Sequence, residues 1–246
     1  MSLEVRALAK AWGGVRAVDG VSFDLPAGTI AALIGPNGAG KSTLFGLIAG
    51  QIAADTGSVR FDDQDLLGLP VAGRVARGLG RSFQVARIFD SMTVLQNAQV
   101  ALAAAHGEVW RPLARLASAR ADEARALLAQ AGLESAAARP AAELAYGDLK
   151  RLDFALALAT RPRLLLMDEP TAGMAPGERR ALMSQVVAEA RGRGMSVLFT
   201  EHSMDVVFGH AERVLVLSRG RLIADGAPEA VRADAAVRQA YLGSAA

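Results

Sequence analysis

The chain has 246 residues, and its 27 basic side chains against 25 acidic ones leave a formal net charge of +2. This length fits one elaborated domain, or a domain with a small extra lobe, and a 52% hydrophobic fraction can bury a sizeable core. These values exclude a disordered chain, the lack of cysteine excludes disulfides and thiolate metal sites, and so small a charge gives no support to nucleic-acid binding.

The first predicted elements are paired β-strands between Val5 and Leu25, where apolar residues alternate around a Gly-Gly turn. A short apolar strand at 29–34 follows, and then a glycine-rich loop and a helix with apolar residues at helical spacing. The stretch from about 85 to 140 is rich in Ala, Leu and Arg and predicts a helical lobe. The later predictions are buried parallel strands at 164–167 and 196–200, a helix around 180–191, and a strand pair at 214–217 and 222–224.

Membrane-spanning and secretory segments are not expected. The apolar runs fall short of the roughly 18 to 20 residues that a spanning helix needs, and the first residues lack the features of a secretory signal. We therefore expect a cytoplasmic protein.

The glycine-rich loop from Gly35 to Ser42 matches the phosphate-binding pattern Gly-x-x-x-x-Gly-Lys-[Ser/Thr], and it lies between a predicted strand and a predicted helix. The glycines let backbone N–H groups approach phosphate oxygens, the helix start adds partial positive charge, and a Ser hydroxyl can bind Mg²⁺. Lys41 is one of only three lysines, which suits a site that needs a compact point charge.

Two other nucleotide sites are disfavoured. A dinucleotide-binding loop would use an acid such as Asp55, about 20 residues beyond Gly35, but its Gly-x-Gly-x-x-Gly spacing is not met. The Asn-Lys-x-Asp sequence that reads guanine is absent, which argues against a GTPase.

A second candidate site is the apolar run after Arg163, which leads into Asp168, Glu169 and Pro170. We predict a buried strand that carries both carboxylates at its end, with the two side chains on opposite sides. One carboxylate can then support Mg²⁺ while the other faces an attacking water, as phosphoryl hydrolysis requires.

These motifs resemble those of the ATP-binding-cassette (ABC) ATPases, and the resemblance covers nearly the whole chain. Trp12 matches an aromatic residue that stacks on adenine, and Gln84 matches the glutamine loop that leads into a helical lobe. Leu144–Asp148, named here the signature segment, matches the sequence that caps the ATP of a partner subunit. His202 matches the switch histidine that contacts the γ-phosphate.

The resemblance implies an α/β fold: a P-loop NTPase (RecA-like) core with an N-terminal antiparallel β-subdomain and an inserted helical subdomain. It implies one domain over 1–246, with the core and β-subdomain in 1–85 and 159–246. The helical subdomain would occupy 86–158 and carry the signature segment.

The resemblance also implies an ATP hydrolase that uses Mg²⁺. Glu169 would polarise water, while Lys41 and His202 would stabilise charge. The expected metal ligands are Ser42, Gln84 and Asp168. The residues expected around ATP are Trp12, Val18, Gly35, Pro36, Asn37, Gly38, Ala39, Gly40, Lys41, Ser42, Thr43, Gln84, Ala145, Tyr146, Gly147 and Asp148.

A closer resemblance is to the ATPase subunits of branched-chain amino acid uptake transporters, carried by 144–147, 168–176 and 241–243. It implies transmembrane permease subunits, a second ABC ATPase subunit that is identical or homologous to this one, and, indirectly, a periplasmic solute-binding protein. It also implies a location at the cytoplasmic face of the inner membrane. Related cassettes for urea, amides or lipopolysaccharide export share several of these features. The alternative is a soluble ABC ATPase that acts as a mechanical or assembly module without a permease, and a dehydrogenase is a distant third.

Two positions depart from the family. Ala145 stands where the family usually has a serine that bonds the γ-phosphate, so backbone N–H groups around Gly147 would take over that contact. Ala172–Ala175 stands where Ser-Ala-Leu-Asp is usual, so this loop lacks the polar groups that would connect two ATP sites.

Overall fold

A computed structural model of the protein describes residues 2–82, 88–108 and 120–242. Its strands are β1 (Ser2–Trp12), β2 (Val15–Pro26), β3 (Ile30–Ile34), β4 (Thr56–Phe61), β5 (Gln64–Asp65), β6 (Leu79–Ser82), β7 (Leu164–Asp168), β8 (Ser196–Thr200), β9 (Arg213–Ser218) and β10 (Arg221–Gly226). Its helices are α1 (Lys41–Ala49), α2 (Val71–Val75), α3 (Val94–Ala105), α4 (Ala121–Gln130), α5 (Tyr146–Leu158), α6 (Pro176–Arg193), α7 (Met204–His210), α8 (Pro228–Ala233) and α9 (Ala235–Leu242).

One sheet is antiparallel, with the strand order β2-β1-β4-β5. Strand β2 buries Val21, Phe23 and Leu25 and exposes the residues between them. This alternation is typical of a sheet with one covered face. The predicted pairing of the first two strands is confirmed.

The other sheet has the order β10-β9-β3-β8-β7-β6, and its strands are parallel except for β10. Every residue of β3, β7 and β8 is buried, as expected for parallel strands that are covered on both faces. The carboxyl ends of parallel strands meet at one sheet edge, so the phosphate loop after β3 and the acids at the end of β7 share that edge.

The residues of β3 point alternately into two cores. Ala31 and Leu33 pack with the antiparallel sheet and α1, whereas Ile30, Ala32 and Ile34 pack with the helices on the other face. The phosphate loop is therefore anchored to both halves of the fold.

The helices α3, α4 and α5 contact one another, and α3 and α4 lie within the stretch from about 85 to 140 that was expected to be helical. Thr93 begins α3 with a capping box, in which its hydroxyl accepts from the Gln96 N–H and the Gln96 side chain accepts from the Thr93 N–H. None of the helices in the described ranges is long and apolar enough to cross a bilayer. The expected α/β class is confirmed.

Candidate nucleotide site

The phosphate loop ends where α1 begins, at Lys41. The residue before the helix, Gly40, offers no capping side chain, and the first turn contains no acid. The N–H groups of that turn are therefore available to an anion. Ser42 and Asn37 are exposed beside them, so these two of the residues expected around ATP lie at an open surface.

The loop itself is held by contacts that only glycine permits. A Cβ at Gly35 would lie 2.2 Å from the Leu217 carbonyl oxygen, and one at Gly40 would lie 2.0 Å from the Ala17 carbonyl oxygen. The N–H of Gly220, in the turn between β9 and β10, donates to the Ala39 carbonyl at 2.9 Å. The loop conformation is thus fixed from two neighbouring strands.

Lys41 folds back over this loop. Its Nζ donates to the carbonyl oxygens of Gly35 at 2.6 Å and Pro36 at 3.1 Å. Burial lowers the pKa of Lys41, and the nearby carboxylates of Glu169 and Asp168 oppose that effect. The cation therefore lies between the phosphate loop and the two acids.

The strand β7 ends at Asp168, so it includes only the first of the two carboxylates that were expected at its end. Glu169 has a left-handed backbone (φ 47°), so it has already left the extended chain, and the predicted alternation does not reach it. A non-glycine residue in this region carries strain, which is typical of functional sites.

Thr200, at the end of β8, orients both acids from a fully buried position. Its hydroxyl donates to Asp168 Oδ1 at 2.8 Å and accepts from the Glu169 N–H at 2.9 Å. The other oxygen of Asp168 lies 3.5 Å from Arg81 Nη2, and both side chains are largely buried. Arg81 also contacts Gln51.

His202 and Glu169, which the family resemblance gives separate roles in hydrolysis, lie next to each other in the structure. The Nε2 of His202 lies 2.9 Å from Glu169 Oε1. Next to it, the buried Glu201 accepts from both the N–H and the hydroxyl of Thr171, at 2.9 and 2.5 Å. Glu201 therefore fixes the segment that follows Glu169 to the segment that carries His202.

Sequence reasoning missed Thr200, Glu201 and Arg81 as contributors to the site. Thr200 is the last residue of a predicted buried strand and Glu201 directly follows it, and that position was the available signal. Arg81 precedes Gln84 by three residues, but only the parallel pairing of β6 with β7 brings it to Asp168.

Trp12, expected to stack on the base, and Val18, expected around ATP, differ in exposure. Trp12 is 55% exposed, and Lys10 Nζ lies 4.9 Å from the centroid of its ring. Val18 has no exposed surface and packs in the core between the sheets, so its side chain offers no face to a ligand. The Trp12 ring is thus available for stacking, while the Val18 side chain packs in the core beneath the hairpin.

The signature segment leads into α5. Ala145 caps the helix with its backbone alone, and Tyr146 is half exposed. Asp148 lies in the first turn, 3.7 Å from Arg151. The helix start is therefore open, as the backbone contact expected for Gly147 requires.

Gln84 lies outside the described residues. The phosphate loop also borders an open cleft of about 850 Å³, which the β9–β10 turn and α9 close on the other side. Within the described ranges no three His, Cys, Asp or Glu side chains cluster as a metal site.

Comparison with protein families matches residues 18–172 to the ABC transporter model. Residues 221–246 match the branched-chain amino acid ATP-binding cassette transporter model.

Three curated relatives align over nearly the whole chain. The high-affinity branched-chain amino acid transport ATP-binding protein LivG of Escherichia coli is 38% identical, covering 99% of this chain and 98% of LivG. The corresponding protein BraF of Pseudomonas aeruginosa is 36% identical with the same coverage. The lipopolysaccharide export system ATP-binding protein LptB of Escherichia coli is 34% identical, covering 98% and 97%.

Solved structures give the same picture of the fold. The crystal structure of a nucleotide-free ATP-binding cassette from an ABC transporter has a TM-score of 0.86 at 31% identity, covering 98% of this chain and 99% of its own. A crystal structure of the ADP conformation of an ATP-binding cassette gives the same TM-score and identity, covering 99% of each chain.

Proposed function

Because this chain belongs to the ATP-binding subunits of ABC transporters, which hydrolyse ATP, we propose that the transporter it drives imports branched-chain amino acids. The observation that carries this assignment is the 38% identity to LivG over 99% of the chain. The match of residues 221–246 to the branched-chain family model supports it. The features at 144–147 and 168–176 point the same way.

We propose that the phosphate loop holds the β- and γ-phosphates of ATP. The N–H groups at the start of α1 face no acid in its first turn, and Lys41 supplies the positive charge. Trp12 stacks on the base from the exposed end of the first hairpin. The second strand of that hairpin touches the loop at Ala17, so base and phosphate contacts belong to one surface.

The residues fit a magnesium ion that nucleotide oxygens help to hold. Mg²⁺ prefers oxygen ligands and keeps waters, and it needs only one or two protein groups beside phosphates. Ser42 is exposed at the helix start and Asp168 lies at the same sheet edge. Gln84 is the third proposed ligand. When bound, the metal neutralises charge on the phosphates.

Hydrolysis requires a water in line with the γ-phosphate, and Glu169 is the group that orients it and takes up its proton. The hydrogen bond that Glu169 Oε1 accepts from His202 Nε2 fixes the direction of the carboxylate. His202 is exposed enough to reach the γ-phosphate as well, and with Lys41 it stabilises the charge that develops on the phosphate oxygens.

We propose that two such subunits enclose two ATP molecules. The open start of α5 in one subunit faces the phosphate loop of the other, and its backbone N–H groups contact the γ-phosphate in place of the absent serine at Ala145. In the proposed division, the phosphate loop belongs to the core (1–85 and 159–246), and the start of α5 belongs to the helical subdomain (86–158).

A permease segment would dock in the groove of about 230 Å³ between α2, β6 and α5. Apolar side chains line most of it, including Val71 and Leu156, while Arg81 and Asp153 supply opposite charges. Val71 is 43% exposed, and a docked segment would cover it. Docking there holds the chain at the cytoplasmic face of the membrane, and a periplasmic binding protein delivers the solute to the permease.

Uptake measurements test the solute assignment. A strain that lacks this chain should lose uptake of labelled leucine, isoleucine and valine, and the wild-type chain should restore it. Glu169→Gln is the matched control and should fail to restore uptake although the protein is made. Normal leucine uptake together with a defect in the outer membrane would instead favour export of the kind named for LptB.

A further inference from the structure

We infer that Lys10 is a specificity-determining residue of the nucleotide site. Its ammonium, held by Asp55, covers one face of the Trp12 ring and makes the opposite face a platform that favours purine over pyrimidine bases. The inference rests on the proposed function, because it takes Trp12 to stack on the base. It also gives a role to Asp55, whose spacing from the phosphate loop matches the acid of a dinucleotide-binding loop.

Asp55 lies directly before β4 and binds the end of β1 at three consecutive residues. Its N–H donates to the Ala9 carbonyl at 3.0 Å. One oxygen of its carboxylate accepts from Lys10 Nζ at 2.6 Å, and the other accepts from the Ala11 N–H at 2.7 Å. The bond from Lys10, and after it the bond from Ala11, lower the pKa of the Asp55 carboxyl, which is therefore ionised at neutral pH. The strand end that carries Trp12 is thus fixed from the neighbouring strand.

The Lys10 ammonium lies between this carboxylate and the indole ring of Trp12. The Lys10 side chain is only 15% exposed although it carries a charge. Its Nζ lies over the ring at 4.9 Å from the centroid, within the range of about 6 Å over which a cation is attracted to an aromatic face. Because the ammonium occupies one face of the exposed ring, a base can stack only on the opposite face.

The same hairpin end has a defined position relative to the phosphate loop. The pairing of β1 with β2 shifts its register next to Lys10 and leaves Ala17 as the extra residue of a bulge, a feature that redirects a strand locally. The Ala17 carbonyl lies against the phosphate loop, since a Cβ at Gly40 would come within 2.0 Å of its oxygen. The hairpin end that carries the ring therefore packs directly on the loop proposed to hold the phosphates.

A cation on one face of an aromatic ring changes what the other face binds. The ammonium of Lys10 draws the π-electrons of the indole towards itself, so the opposite face of Trp12 becomes less negative. A purine has a larger and more electron-rich π-surface than a pyrimidine and gains more from stacking on such a face. Lys10 thereby strengthens the stacking of adenine more than that of uracil, without a hydrogen bond to the edge of the base.

The affinities of the full chain for Mg-ADP and Mg-UDP test this inference, since neither nucleotide has a γ-phosphate to be hydrolysed. Displacement of a ribose-labelled fluorescent ADP analogue measures both. Lys10→Met keeps an apolar stem but removes the charge, and it should lower the ADP-to-UDP affinity ratio by roughly 2- to 5-fold. Lys10→Arg keeps the cation and should retain the ratio. In a Trp12→Ala background, Lys10→Met should no longer change the ratio.

Two further variants separate the ring contact from general charge. Arg16→Gln is the matched control, because Arg16 lies on the second strand of the same hairpin and bonds Asp19 at 2.9 Å. Its loss should weaken ADP and UDP by the same factor, and a fall in the ratio as large as that in Lys10→Met would contradict the inference. Asp55→Asn loosens the hold on Lys10, so it should lower the ratio in the same direction and add no further loss to Lys10→Met.

Tryptophan fluorescence tests the covered face without nucleotide. The chain has two tryptophans, so Trp110→Phe leaves Trp12 as the sole reporter. In that background Lys10→Ala should uncover the second face of the ring and raise the quenching of its emission by acrylamide. Equal quenching constants with and without Lys10 would show that the ammonium does not cover the ring.

An unchanged ADP-to-UDP ratio in Lys10→Met, or an equal fall of the ratio in the Trp12→Ala background, would overturn the inference. The Asp55 side chain is 43% exposed, so removal of Lys10 leaves no buried charge; if Lys10→Met does not fold, Lys10→Gln carries the same prediction. Wild-type ADP affinity in Trp12→Ala would refute the stacking that the proposed function assigns to this ring. Weakened ADP binding in Trp12→Ala together with a wild-type ratio in Lys10→Met would refute only the role of Lys10.

Discussion

Replacing Thr200 by valine tests how the two acids are held. The hydroxyl is fully buried and serves two partners, Asp168 Oδ1 and the Glu169 N–H. Valine has nearly the same shape but leaves a buried carboxylate oxygen and a buried N–H without that hydroxyl. The effect should therefore appear both in stability and in the position of the catalytic glutamate.

The magnitude follows from these two bonds. A hydrogen bond to a charged group contributes about 1.5 to 3 kcal/mol, and a buried N–H left unsatisfied costs about 1 to 3 kcal/mol. Arg81 still faces the other oxygen of Asp168, which limits the loss. We expect Thr200→Val to lower the free energy of unfolding by about 3 to 4 kcal/mol, and to lower kcat because the Glu169 backbone loses its anchor.

Urea unfolding and steady-state ATP hydrolysis measure the two effects. Thr200→Ser is the control, since it keeps the hydroxyl and loses only a buried methyl group, at a cost of about 1 kcal/mol. If the valine and serine variants were equally stable and equally active, the hydroxyl would not hold the acids and this reasoning would be wrong.

Three further substitutions probe the nucleotide contacts. Trp12→Ala should weaken ATP and GTP binding alike by about 1 to 3 kcal/mol, because an exposed ring stacks without reading the base, and equilibrium titration measures it. Ala145→Ser adds one hydroxyl to a helix start that already offers N–H groups, so light scattering should detect a dimer tighter by less than about tenfold. Gly147→Asp brings a carboxylate towards the phosphate and towards Glu178, and it should abolish ATP-driven dimerisation; a dimer that still forms with ATP would contradict the signature assignment.

Local patterns were enough to predict most of the elements. Strands 164–167 and 196–200 are short apolar runs, and both are buried parallel strands in the structure. The phosphate loop is a contiguous motif between a strand and a helix, so its position needed no tertiary information. The family resemblance built on these motifs is confirmed by the comparisons.

The remaining features depend on contacts between distant parts of the chain. Thr200 reaches Asp168 across 32 positions of sequence and Arg81 reaches it across 87. The left-handed backbone at Glu169 ends the two-residue alternation of the strand, whereas the sequence pattern predicted that the alternation would extend to this residue. Val18 lies on the buried face of its strand, so its side chain is in the core even though the strand borders the phosphate loop.

The central claim is that ATP joins two subunits and that Glu169 then promotes its hydrolysis. Light scattering of the Glu169→Gln protein, with and without Mg-ATP, tests it most directly. The account predicts a monomer without nucleotide, a dimer of twice that mass with Mg-ATP, and ATP hydrolysis lower than that of the wild type by a factor on the order of 10² or more. A mass that ignores nucleotide, or wild-type turnover in this variant, would contradict the claim.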